Sequence, residues 1–95
     1  MDSRVFNHAD QQRYEITVND EMLGELQYRD SEHTIELFHT QVDARMRGQG
    51  LAEKLAIFAL GEARAQGKTV YPTCPFVLRY LAAHPEYQDL IVQRD

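Results

Sequence analysis

Residues 45–55 read RMRGQGLAEKL: two arginines and two glycines directly before a run of good helix formers. The chain around them is acidic, with 10 Lys and Arg against 15 Asp and Glu and a formal net charge of -5. The basic character of this stretch is therefore local. A helix N-terminus exposes unpaired N–H groups and carries partial positive charge. Glycines just before it let a ligand approach the backbone closely, and together these features suit a phosphate. Arg45 and Arg47 would add charge-assisted donors. The same residues also suit a turn whose glycines serve only its geometry and whose arginines sit in solvent. Composition alone leaves both readings open.

Working outward, the spacing of Leu51, Leu55, Phe58 and Ala59, broadened by Ile57 and Leu60, predicts an amphipathic helix over about 50–65. Gly67 is placed to end it in a left-handed turn. Lys68 to Thr73 reads as a short strand with Val70 buried. Pro75 suits the first turn of a second helix with Cys74 as N-cap. Phe76, Val77, Tyr80 and Leu81 have helical spacing, and His84-Pro85 stops that helix. A last segment around 88–92 has Leu90, Ile91 and Val92 to pack.

Upstream, Tyr14, Ile16 and Val18 alternate with polar residues, and residues 22–29 repeat the pattern. A third strand runs from about His33 to Val42. Its phase changes at Leu37 and Phe38, which means either burial on both faces or a bulge that re-aims the strand. Residues 1–12 read as a polar segment, loose at its start. The expected order is β-β-β-α-β-α: an antiparallel meander followed by a right-handed parallel crossover, a mixed α/β sheet with helices packed on it.

Ninety-five residues suit one domain, taken as 1–95. Cys74 is the only cysteine, so no disulfide forms within the chain, and a lone thiol fits a reducing cytoplasm. The opening residues do not resemble a signal peptide. No apolar run approaches the ~18 residues of a membrane span. The acidic balance argues against a nucleic-acid partner. The histidines show no metal spacing, so no metal is expected.

Two nucleotide motifs fail at residue 53. GxGxxG requires glycine where Glu53 stands, and a P-loop requires glycine at 53 and Ser or Thr where Leu55 stands. A third pattern fits: residues 45–50 match Q/R-x-x-G-x-G/A. This resembles the pyrophosphate loop of the GNAT superfamily of N-acetyltransferases. With HTQV (39–42), RGQGLAEKL (47–55) and YPTCPFVLRYLAAHPEY (71–87), the chain is similar to very small GNAT-like proteins over about 14–92.

The resemblance implies a minimal GNAT-like fold, its sheet splayed between the strand before the loop and the strand after the helix, with acetyl-CoA in the splay. Backbone N–H groups of Arg47, Gly48, Gln49, Gly50 and Leu51 would cradle the pyrophosphate, with Arg45 beside them. Val42, Asp43 and Ala44 would offer main-chain partners to the pantetheine arm. The acetyl group would lie near Cys74, Phe76 and Tyr80.

Acetyl transfer needs a deprotonated amine, a donor for the developing oxyanion and an acid for the leaving thiolate. Cys74, favoured as thiolate by the helix dipole, could be the nucleophile or the proton donor, roles that want opposite protonation states. It could equally be a small buried hydrophobe. Tyr80 is a candidate acid or a core aromatic. His39 is a candidate base or a structural histidine. Glu25 and Glu36 read as solvated strand carboxylates. The expected function is an acetyl-CoA-dependent N-acetyltransferase acting on an amine, either a small molecule or a protein lysine or N-terminus. The alternatives are a non-catalytic coenzyme A-binding or sensor module and an interaction domain that binds nothing at the loop.

Overall fold

The computed structural model describes residues 2–92, and its first strand has no clear signature in the sequence. Ser3–His8 (β1) pairs antiparallel with Arg13–Val18 (β2), from Ser3 opposite Val18 to His8 opposite Arg13. The segment 1–12, expected to be polar and loose at its start, is thus an edge strand over Ser3–His8, while residue 1 lies outside the described residues. Val5 is its one apolar side chain packed on the core, while Phe6 is exposed. That leaves almost no alternation to read, and the ladder with β2 decides the conformation.

Glu21–Asp30 (β3) and Thr34–Val42 (β4) extend the meander, and Thr69–Pro72 (β5) joins β4 in parallel. The sheet order is β1-β2-β3-β4-β5. Leu51–Gln66 (α1) makes the crossover, and Pro75–Ala83 (α2) follows β5. A 3-10 segment, Pro85–Leu90, ends the described fold, with Ile91 bridged to Val70. The mixed α/β architecture expected from the sequence is present, with one strand added.

The core lies between the sheet and the helices. Tyr14, Ile16, Leu26 and Leu37 meet Leu51, Leu55 and Leu60 of α1 and Val77 and Leu81 of α2. Each such side chain contributes roughly 1.5–3 kcal/mol by leaving water. The buried stripe of α1 is narrower in volume than expected. Leu51, Leu55, Ala59 and Ala63 follow a four-residue spacing, with Ala56 and Leu60 beside them, so alanines bring the helix close to the sheet. Ile57, assigned to this stripe from the sequence, is 48% exposed, because it projects from the far side of the helix. Phe58 sits at the margin, edge-on to Tyr14 at 5.7 Å.

Two bulges shape the sheet. In β3, Ile16 faces Gly24 and Thr17 faces Met22, so Leu23 is the extra residue. In β4, Gln27 faces His39 and Tyr28 faces Leu37, so Phe38 is extra. The phase change at 37 and 38 is therefore a bulge: Leu37 is buried in the core, and Phe38 lies on the other face, 4.0 Å beneath the Arg29 guanidinium. That other face is charged. On it, the nearly buried Glu15 accepts hydrogen bonds from Arg13 Nε at 2.5 Å and His8 Nδ1 at 3.0 Å.

Gly24 lies where β2, β3 and β4 crowd together. A Cβ there would stand 2.9 Å from Ile16 Cγ2 and 3.2 Å from Val42 Cγ2. Gly24→Val should cost about 1–3 kcal/mol through overpacking, read as a lower urea midpoint at unchanged slope. Burial pushes the Glu15 carboxyl up, but the hydrogen bonds from His8 and Arg13 outweigh it and hold it below the usual carboxylate range. A depressed folded-state value stabilises above the unfolded-state value, and that contribution is lost as pH falls through the folded one. Urea midpoints followed from pH 7 downward should therefore fall on acidification less steeply in Glu15→Gln than in the wild type.

Candidate functional site

The site is created where β4 and β5 part. Their parallel pairing runs from Thr34 opposite Thr69 to Leu37 opposite Pro72. Pro72 has no N–H to extend a ladder, and Phe38 is the bulged residue of β4. The Leu37 carbonyl then accepts from both Thr73 and Cys74 N–H groups, each at 3.0 Å. Beyond that anchor β4 continues to Val42 with β3 on one side and, among the described residues, no strand on the other.

A short 3-10 turn, Ala44–Met46, leads from β4 towards α1, capped by the Asp43 carboxylate, which accepts from the Arg45 N–H at 2.9 Å. The Arg45 guanidinium is bound to Asp43 through Nε and Nη2, both at 3.0 Å, and to Glu21 at 2.7 Å. These bonds hold the Asp43 carboxyl below its usual range and push the Arg45 guanidinium further up. Arg45 thus pairs within the protein and does not line the cleft described next, in contrast to its expected place beside the pyrophosphate. The Arg47 guanidinium has no hydrogen bond or ion pair among the described residues.

Gly48 and Gly50 both adopt left-handed backbone, φ 81° and 78°, which non-glycine residues resist. Within the loop, Arg47 N–H donates to Ala44 and Gln49 N–H to Met46. The amides of residues 48 and 50–53 have no acceptor among the described residues. The free donors thus begin at Gly48, skip Gln49 and reach further into α1 than the sequence placed them. They border a cleft of about 240 Å³ lined by residues 42–44, 46–48 and 50–53. Met46, Ala52 and Glu53 are additions to the expected set. Leu51 gives this cleft its amide while its side chain is buried in the core.

Cys74 is the N-cap of α2, with Pro75 as the first helical residue. Its sulfur makes no capping bond. It is buried, 3% exposed, and lies 3.1 Å from Thr40 Oγ1, which links the free-running part of β4 to the start of α2. At this N-cap the Cys74 sulfur and the Thr40 hydroxyl stand at hydrogen-bond distance, and either can be the donor. Thr40 was missed as a site residue, although it is the second residue of HTQV.

Tyr80 is half-buried between Phe76, His84 and Tyr87, with ring centroids at 6.4, 4.0 and 6.1 Å. Burial, then the neighbouring Tyr87, Glu86 and Glu53, push its hydroxyl up, so it keeps its proton at neutral pH. Phe76 is part of this row rather than of the cleft wall. His39 is exposed and faces Gln27 on the charged side of the sheet, one residue out of phase with Thr40. Among the described residues no hydrogen bond, ion pair or ring contact joins His39, Tyr80 and Cys74 to one another. The structure brings together the loop amides and the end of β4, but does not assemble these three side chains into one cluster.

Comparison with known proteins places this geometry. The family described as GCN5-related N-acetyl-transferase matches residues 13–90. A GCN5-like protein from Staphylococcus aureus shares the fold with TM-score 0.73 at 23% identity, over 97% of this chain and 90% of that one. A GNAT family acetyltransferase from Elizabethkingia anophelis, solved with acetyl-CoA bound, has TM-score 0.60 at 18% identity, over 83% of this chain and 57% of its own. The ribosomal-protein-S18-alanine N-acetyltransferase of Escherichia coli has TM-score 0.66 at 18% identity, over 76% of this chain and 50% of its own. This chain thus spans only about half the length of the last two. No curated protein matches. With the family matched from β2 to the end of the last 3-10 segment, the chain belongs to the GCN5-related N-acetyltransferases.

Proposed function

We propose that the protein binds acetyl-CoA at the cleft between β4 and α1 and transfers its acetyl group to an amine. The observation that carries this reading is the coincidence of three features. Amides at residues 48 and 50–53, without an acceptor among the described residues, meet at one cleft, Arg47, with no partner among those residues, lines it, and the side of β4 that β5 leaves leads into it. A pyrophosphate would accept from those amides, where the α1 dipole also favours negative charge. The pantetheine arm, a chain of amides, would pair with the main chain of residues 42–44.

In the reaction the amine nitrogen bonds to the acetyl carbon and the carbon–sulfur bond breaks, leaving a thiolate that needs a proton. Tyr80 holds its proton at neutral pH and is the acid we assign. We assign Cys74, buried with its sulfur 3.1 Å from Thr40 Oγ1, to the splay as a hydrogen-bonding partner rather than as a nucleophile. His39 faces the open side of the sheet, from which an amine can approach, and we keep it as the candidate base. The charged, unwalled character of that side fits an acceptor that brings its own surface, a polypeptide lysine or N-terminus, ahead of a small molecule.

Acetyl-CoA at ~100 times its dissociation constant should stabilise the protein by ~2.7 kcal/mol. A denaturation midpoint unmoved at millimolar acetyl-CoA would remove both the transferase and a non-catalytic coenzyme A-binding module. Coenzyme A release with a panel of peptide and small-molecule amines separates those two, since the module gives none. For the thiol, Cys74→Ala should keep binding and slow transfer, with no acetyl adduct on wild-type Cys74 by mass spectrometry. A trapped adduct would reverse the assignment to nucleophile. Thr40→Ser should behave as wild type in the same assay, and Thr40→Val as Cys74→Ala.

A further inference from the structure

The cleft contains a charge that works against its proposed ligand. Glu53 is the third residue of α1 and lines the cleft beside the free amides. Its carboxylate is folded back towards the turn: Oε2 would stand 3.3 Å from a Cβ on Gly50. Among the described residues it has no hydrogen bond and no ion pair. Its neighbour Lys54 points to Ser3 Oγ at 2.9 Å, and Arg45 is bound to Asp43 and Glu21. Its charge also extends to the Tyr80 hydroxyl. An acidic side chain in the first turn of a helix is stabilised by the exposed amides and the dipole. A pyrophosphate would use the same amides. Two anions cannot both hold that position, since like charges so close oppose each other even in water, and more strongly near a protein surface.

We infer that Glu53 is an internal competitor for the anion position of the cleft. In the free protein its carboxylate stands at the α1 N-terminus, and it must withdraw when a phosphate-bearing ligand binds. It therefore stabilises the free fold and weakens binding with the same group. This inference rests on the coenzyme A reading above, but it concerns how tightly the site holds its ligand rather than which ligand it holds. A merely structural acid at the helix start would stabilise the fold without opposing the ligand, so the opposite signs of the two effects distinguish the roles.

The test is a calorimetric titration of coenzyme A into wild type, E53Q and E32Q, each also melted without ligand. Glu32 is an exposed carboxylate in the β3–β4 turn and matches the change in net charge. E53Q should melt a few degrees lower than wild type when free. It should bind coenzyme A about fivefold more tightly or better at low salt, with the advantage shrinking at ~0.5 M salt. E32Q should bind as wild type. Equal affinity of E53Q and wild type overturns the inference while leaving coenzyme A binding intact. Equal tightening by E32Q also overturns it, because total charge would then be the cause. Absence of binding by all three at millimolar coenzyme A overturns the inference together with the reading on which it rests.

Discussion

The Leu37 carbonyl is the constraint on which the site depends. Among the described residues it is the last backbone acceptor that β4 offers to the chain after α1, and it takes the amides of Thr73 and Cys74 together with the Thr73 hydroxyl at 3.5 Å. Pro72 cannot continue the ladder, and the Phe38 bulge turns β4 away at the same point. From there the two strands diverge, and the free side of β4 becomes available to something other than β5. The same anchor holds Cys74 at the start of α2, where Thr40 reaches its sulfur across the gap.

Electrostatics at the loop come from backbone more than from side chains. One of the two arginines, Arg45, is tied to Asp43 and Glu21, so it braces the loop instead of facing the cleft. What remains positive there is a row of free amides at the start of a well-anchored helix, together with Arg47. The amides keep their orientation through the packing of α1, so the positive character of the cleft is local in an acidic chain. Leu51 shows the connection directly: its side chain is in the core and its N–H borders the cleft.

Much of this was legible in the sequence, for identifiable reasons. The period-2 pattern of Tyr14, Ile16 and Val18 and the four-residue spacing from Leu51 are produced by one-sided burial, so they mark β2 and α1. Pro75 and His84-Pro85 bracket α2 within a residue of its observed ends. β1 was not legible, because an edge strand with one core contact needs no apolar pattern. Ile57 was misplaced because an apolar residue beside a buried stripe looks like part of it until the helix is set against the sheet. The loop glycines were readable as left-handed positions before a helix, φ 81° and 78°, and HTQV and TCPFV identified the family.

The sequence by itself determined the order of most elements, the glycine loop at the mouth of α1 and the family. These follow from local periodicity, backbone freedom and short motifs, which act over a few residues. Tertiary structure alone decided that Phe38 is a bulge, that Arg45 turns away from the cleft, and that Cys74 pairs with Thr40. Each of these depends on which partner lies across a strand gap or at the end of a turn. For Arg45 and Cys74 the deciding partners, Glu21 and Thr40, lie 24 and 34 residues away in the chain.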